Sequence, residues 1–260
     1  MMSRAPELFA GNPDVDHVLA PSEESVIAVR RFGVPVFHCH YHTYDAANDR
    51  DVAPAHHYIA MMCRGAGLTG RVKLRPYLHL TPGELESGRM GPEQVVVQTS
   101  AQGAKFPMPN KDWPATQYAA LIPELLRRFT VVQLGMATDP TFPGVIDLRG
   151  RTSLRESAAI LRQSKVFIGL PGFLMHVARA VDTRAVIVFG GREDPSISGY
   201  SGFENLATPL ECAPCWRRHT CPYERECLRR IAPQDVLAAV ERQLALAGQP
   251  IGTSEVEVPE

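Results

Sequence analysis

The stretch that most constrains this chain is residues 166–191, which read VFIGL, PGFLMH, VARAVD, TR and AVIVFGG in order. The two outer segments are short and apolar almost throughout. Strands of that kind are buried on both faces, which is the signature of a parallel sheet covered by helices. The helical segment between them supplies the crossover that parallel strands require. In open parallel sheets, ligands bind just past the carboxyl ends of the strands. Gly169, Gly172, His176, Gly190 and Gly191 stand there. Glycines at such ends either make tight turns or let a ligand approach the backbone, and this arrangement favours ligand approach.

The same alternation extends through the second half of the chain. VVVQTS (95–100) and TVVQLG (130–135) read as strands, with a long loop and the amphipathic ATQYAALIPELLRRF between them. Pro114 suits the N-terminal boundary of that helix. A short strand is expected at VIDL. A helix follows at SLRESAAILRQS (153–164), where Ser153 and Glu156 have the spacing of a capping box. APQDVLAAVERQLALAG (232–248) closes as a helix, and the tail 249–260 reads as disordered. The expected fold class is therefore α/β, with a mostly parallel, Rossmann-like domain over 91–248. Residues 1–90 are less regular and are expected to form a partial α/β domain. Within them, VDHVLAP and VPVFHCH are expected strands and APAHHYIAMMCRGAG a helix of about three turns. VKLRPYLHL reads as an edge strand, and TPGELESGRMGPE as a polar linker.

Bulk composition excludes several classes. The chain has 260 residues, 45% of them hydrophobic, which suffices for a sizeable core. With 27 Lys and Arg against 28 Asp and Glu, it lacks the basic excess of a protein that coats nucleic acid. No apolar run approaches the ~20 residues needed to span a bilayer. The N-terminus has no signal-peptide pattern, so a cytoplasmic protein with reduced cysteines is expected.

Four of the six cysteines fall in one short run, Cys212, Cys215, Cys221 and Cys227, spaced C-x2-C-x5-C-x5-C. Four thiols so spaced can converge on a tetrahedral zinc or iron ion, while two disulfides or free thiols are the alternatives. Four protein ligands leave no open position, so the role of such an ion is structural. Arg217, Arg218, Arg225 and Arg229 lie around the run, and nearby cations favour the thiolate.

Thr99 and Ser100 end a strand, and Lys105 and Lys111 follow in the loop. Hydroxyls, loop N–H groups and lysines together suit a diphosphate. Neither a P-loop nor a dinucleotide fingerprint is present. His38, His40 and His42 alternate and would share one face of a strand, within reach of a metal or substrate, but Cys39 and Tyr41 would point the other way, so metal binding there is the lesser reading.

Taken in order, these motifs resemble glycosyltransferase family 9, whose best-known members are the ADP-heptose:lipopolysaccharide heptosyltransferases. The resemblance covers about residues 95–245. Its elements are VVVQTS, KDWP, YAAL, VVQLG, DLRGRTSLRE, VFIGLPGFLMHVARAV, VIVFGG and the run CAPCWRRHTCPYERECLRRI. It implies a GT-B fold, with a nucleotide-sugar donor (usually ADP-linked) on the C-terminal domain, and an inverting transfer to a glycan, lipopolysaccharide or protein acceptor. Thr99 and Ser100 match the hydroxyl pair at the donor phosphates, and Lys111 matches the lysine of the K-x-W-P element. Gly172, Phe173, Met175 and His176 match the loop and helix N-terminus beneath the diphosphate. A branch of the family carries a similar cysteine finger. The resemblance also implies cytoplasmic lipopolysaccharide biosynthesis, with self-association and peripheral inner-membrane contact as further expectations.

There are two departures from the pattern. Pro171, Gly172 and Phe173 stand where the family has D-S-G, which removes an aspartate that contacts the donor. The family's first strand, Gly-rich turn and catalytic aspartate lie upstream of an element matching residues 6–18, so roughly sixty residues of the pattern are expected to be absent. Asp14, Asp16, Asp45 and Asp49 are carboxylates, and none matches the catalytic one. A non-catalytic nucleotide-sugar-binding or scaffold protein with a structural metal is the alternative.

Overall fold

The computed structural model describes residues 2–33, 37 and 43–258. His38, His40 and His42, and with them most of the expected VPVFHCH strand, lie outside the described residues.

The first part holds α1 (Glu23–Arg31), a two-stranded antiparallel hairpin of β1 (Tyr44–Asp45) and β2 (Arg50–Asp51), α2 (Tyr58–Gly65), β3 (Gly70–Lys73) and α3 (Pro82–Ser87). Three expectations need correction here. VDHVLAP makes only an isolated bridge, Met2 to Leu19. Its apolar residues have no sheet to pack on, and β-propensity without a partner makes no strand. The supposed linker at 81–93 contains α3. The Thr81 hydroxyl accepts from Glu84 N (3.3 Å) and Glu84 Oε2 accepts from Thr81 N (2.8 Å), a complete capping box with Pro82 in the first turn. The helix beginning near residue 58 is shorter than three turns, with the His57 ring accepting from Ile59 N at its start.

The second part is regular. In chain order it contains β4 (Gln94–Gln98), α4 (Ala115–Leu126), β5 (Thr130–Leu134), β6 (Ile146–Asp147), α5 (Leu154–Arg162), β7 (Val166–Gly169) and α6 (Phe173–Ala180). It continues with β8 (Ala185–Gly190), α7 (Pro195–Ser198), β9 (Glu204–Ala207), α8 (Glu226–Arg229) and α9 (Pro233–Ala245). Ser153 and Glu156 form the expected capping box of α5. The six strands make one parallel sheet in the order β6-β5-β4-β7-β8-β9. This is the doubly wound order, and the strand sequence reverses direction between β4 and β7.

Alternation along the strands explains why they are apolar throughout. Val95 and Val97 face a core built with α4 and α9, including Trp113, Tyr118 and Val236. Val96 faces the opposite core with α5 and α6, including Phe167, Met175 and Ile187. Both layers are closed to water, so each fully buried side chain of this size contributes about 1.5–3 kcal/mol.

The tail is ordered, contrary to expectation. Glu255–Val258 form β10, antiparallel to β3, in the register Glu255 to Lys73 and Val258 to Gly70. Val258 is buried, and pairing with β3 satisfies backbone groups that the sequence of the tail alone could not.

Candidate functional site

The switch point between β4 and β7 opens into a cavity of about 290 Å³. Ser100 and Ala101 line it from the end of β4, Met136 from the end of β5, and Gly172 and Phe173 from the turn after β7. Lys111 adds a charge to the wall. Phe106, Met136 and Phe173 stand exposed around it, a concentration of accessible apolar surface at a concave site. The turn after β7 leads directly into α6. Gly172 is the N-cap of that helix and supplies no side-chain cap, so the first N–H groups are left for an outside acceptor.

Thr99 and Ser100 are both buried, and their hydroxyls are already used. Thr99 Oγ1 donates to the Pro140 carbonyl (3.1 Å) and accepts from Gln133 Nε2 (3.0 Å). Ser100 Oγ donates to Asp112 Oδ2 (2.8 Å) and accepts from Gln102 N (3.0 Å). Asp112 also takes Ala101 N and Gln102 Nε2. The pair therefore fixes the course of the loop, and of the two only Ser100 reaches the cavity wall.

Lys111 ends a short 3-10 turn, Pro109–Lys111, that is anchored on both sides. Asn110 Nδ2 donates to the carbonyls of Arg217 and Thr220, and the Trp113 indole donates to the Ile231 carbonyl. The Lys111 ammonium donates to the Pro171 carbonyl (3.1 Å) and pairs with Glu193 Oε1 (2.6 Å). Burial pulls the Lys111 ammonium below its usual range and Glu193 opposes that pull. Burial alone would raise the Glu193 carboxyl, but Lys111 and Arg192 reverse this and hold it at about 2.

The remaining expected site residues lie elsewhere. Met175 is fully buried in the core. His176 is half-buried, with Nδ1 2.7 Å from the Tyr200 hydroxyl. Burial, and then the Lys111 charge, bring its pKa down to about 4. A Cβ on Gly169 would meet the Phe167 ring at 2.3 Å, and Gly169 serves packing. Gly190 and Gly191 face the cysteine run. Cβ atoms there would approach Leu228 Cδ2 to 2.6 Å and Cys227 Cβ to 3.0 Å, and the Gly191 carbonyl accepts from Cys215 N. None of these five residues, nor Thr99, lines the cavity at the switch point.

Cys212, Cys215, Cys221 and Cys227 line a second cavity, of about 360 Å³, together with Gly191 and Arg217. All four are free thiols, so the disulfide alternative is not realised. Cys221 Sγ accepts from Arg225 N (3.2 Å). As a donor set, four thiols on one cavity suit a thiophilic ion. Among the described residues, however, no group of three His, Cys, Asp or Glu is gathered closely enough to hold a metal ion.

Sequence reading did not find the clasp on this loop. Asp49 Oδ2 accepts from His219 N (3.0 Å), Thr220 N (2.6 Å) and Thr220 Oγ1 (2.8 Å), which holds the Asp49 carboxyl at about 2 against the effect of burial. Asp51 N donates to the Trp216 carbonyl, and the Arg218 guanidinium lies 4.0 Å from the centre of the Tyr44 ring. The Asp51 carboxylate joins Arg192 and Arg218. Asp49 is thus committed to structure, and Asp45 closes its own turn through Ala47 N and Asn48 Nδ2. The only sequence signal for this network is the charged pair Arg192–Glu193 directly after a buried strand and two glycines.

A model of glycosyltransferase family 9 (heptosyltransferase) matches residues 91–226, just over half the chain. Among solved structures, the chain is similar to the E. coli ADP-heptose LPS heptosyltransferase II, with 22% identity over 65% of this chain and 54% of that one, at a TM-score of 0.51. It is similar to TibC, an iron-containing dodecameric glycosyltransferase from enterotoxigenic E. coli H10407, with 19% identity over 72% and 53% at 0.58. It is also similar to a family 9 glycosyl transferase from Veillonella parvula DSM 2008, with 15% identity over 94% and 78% at 0.56. The fold shared is the α/β, GT-B-like one expected from the sequence. The chain spans about half the length of the first two of these proteins. No curated protein matches it.

Proposed function

The chain belongs to glycosyltransferase family 9, and we propose that it transfers a heptose or hexose from a nucleotide-diphosphate donor, ADP-linked, to a glycan, lipopolysaccharide or protein acceptor. One observation carries this reading: the switch-point cavity has Lys111 and the uncapped start of α6 on its wall. In an inverting transfer the acceptor hydroxyl attacks the anomeric carbon. The bond from that carbon to the diphosphate breaks with its electron pair going to the diphosphate, and a base takes the hydroxyl proton. Lys111 and the N–H groups at the start of α6 stand ready for the growing diphosphate charge. Ser100, Gly172 and Phe173 are the other proposed donor contacts. None of the described residues lining the cavity is a carboxylate, so the base is proposed to act from the acceptor side.

Cys212, Cys215, Cys221 and Cys227 are proposed to hold a structural iron or zinc ion; TibC is iron-containing. An ion bound there would cross-link the loop. The Arg225 N–H already bonded to Cys221 is the kind of contact that orients a thiolate ligand. Self-association is proposed by analogy with dodecameric TibC. Among the described residues no helix is long and apolar enough to cross a membrane. A cytoplasmic setting with peripheral inner-membrane contact, in lipopolysaccharide biosynthesis, completes the reading.

The test is calorimetric titration of the chain with ADP, UDP and GDP, with metal content measured on the same sample. Saturable binding of ADP is expected. Lys111→Ala should weaken it by about 1–3 kcal/mol, the range for a charge-assisted phosphate contact. A folded chain that binds none of the three refutes the donor site and favours a non-catalytic scaffold.

A further inference from the structure

Five buried or nearly buried charges form one continuous chain. Arg218 Nε and Nη2 donate to Asp51 Oδ1 at 2.8 and 2.5 Å. Arg192 Nη2 meets Asp51 Oδ2, and Arg192 Nη1 donates to Glu193 Oε1 at 2.8 Å. Lys111 reaches the same Oε1 at 2.6 Å, while Ser198 Oγ donates to Oε2 at 2.8 Å. Three cations thus share two carboxylates, and the cluster carries one unbalanced positive charge. His176, facing Lys111, Glu193 and His57, stays neutral near pH 7 because of its burial and the Lys111 charge. Of the five, only Lys111 lines the switch-point cavity. An uncompensated buried charge is costly, and the surplus can be met by an anion in the cavity that Lys111 lines.

We propose that Glu193 is a positioning residue: its carboxylate, fixed from behind by Arg192 and Ser198, holds the Lys111 ammonium charged beneath the Pro171–Phe173 turn, ready for an anionic ligand. The geometry accounts for the direction. Among the described residues Lys111 has one acceptor besides Glu193, the Pro171 carbonyl, which orients the ammonium but supplies no charge. The charged groups facing Lys111 are Glu193, Arg192 and Asp51. Without the Glu193 charge, burial and Arg192 would both drive the proton off Lys111. The ligand arm of this inference rests on the donor reading above; the state of Lys111 itself does not.

The first test needs no ligand. With isotope-labelled lysine, NMR should show a slowly exchanging Lys111 ammonium in the wild-type chain near neutral pH. In Glu193→Gln that ammonium should lose its proton at a lower pH than in the wild type, and in Glu193→Asp it should titrate with the wild type. The second test is titration with ADP. Wild-type affinity should be flat with pH once the phosphate is ionised, whereas Glu193→Gln should bind at least about tenfold more weakly near pH 9 than near pH 6. In a Lys111→Gln background Glu193→Gln should add no such pH dependence. A Lys111 ammonium in the wild type that exchanges like an exposed lysine overturns the proposal, even if Glu193→Gln fails to fold. So does an ammonium unchanged in Glu193→Gln. If the wild type binds no nucleotide diphosphate, the donor reading falls and the NMR result alone decides the role of Glu193.

Discussion

His176 makes stability depend on pH in a window that few other groups share. Its ring lies half-buried beside Tyr200, and its folded value of about 4 lies well below the ordinary 6.5. Between those values the unfolded chain takes up a proton that the folded chain does not. Stability is therefore complete above about pH 6.5 and falls as pH drops toward 4. At 1.36 kcal/mol per tenfold, the full window is worth about 3 kcal/mol, and about 2 kcal/mol should be gone by about pH 5. His57, also pulled down by burial, adds in the same sense. The carboxyls of Glu193, Asp49, Glu84 and Asp147, all held near 2 in the folded chain, lose their stabilising contribution mainly as pH falls below about 4.5, at the lower edge of this window. The assay is urea unfolding at about pH 7.5 and about pH 5 for the wild type and His176→Asn, which keeps a polar atom near the Tyr200 hydroxyl. The variant should lose clearly less stability between the two conditions. Equal losses would refute the assignment of the acid sensitivity to His176.

Three further outcomes follow from the packing. Gly190→Ala puts a Cβ 2.6 Å from Leu228 Cδ2 at a φ of +63°, so it should destabilise by about 2–4 kcal/mol, read by the urea midpoint. Cys215→Ser should lower bound metal and melting temperature together, as metal analysis and calorimetry on one sample would show, and full metal loading would contradict a four-thiolate site. Val258→Asp places a charge at a buried position on β10, and hydrogen exchange should show residues 70–73 losing protection well before the six-stranded sheet does.

The parallel sheet was legible because its evidence is local. Val166–Gly169 and Ala185–Gly190 announce double burial residue by residue, and Ser153 with Glu156 marks a helix start within four positions. Where the signal lay in pairs far apart in sequence, it was lost. Nothing in EVEV reveals that it will meet GRVK. Nothing near Asp51 points to Arg192 or Arg218, because charge pairing leaves no periodicity. The α3 segment was hidden by Pro82 and Gly83, which read as a turn although proline is well tolerated in a first helical turn. Lys111 is singled out by its KDWP context, whereas nothing in the sequence near it points to its partner Glu193. Gly190 and Gly191 stand at the carboxyl end of β8, yet the neighbour they admit is the cysteine loop.

The pairing of β3 with β10 bears on how the chain reaches its native state. Nearly all of the six-stranded sheet lies between these partners in sequence, so their contact is among the most distant the chain makes. Closing so long a segment is unfavourable until the intervening sheet has compacted and brought the ends together. Strand β3 should therefore be one of the last elements to gain protection during refolding. Until then its unpaired edge is open to strands from other molecules, which makes the early refolding mixture sensitive to protein concentration even if the native protein is not.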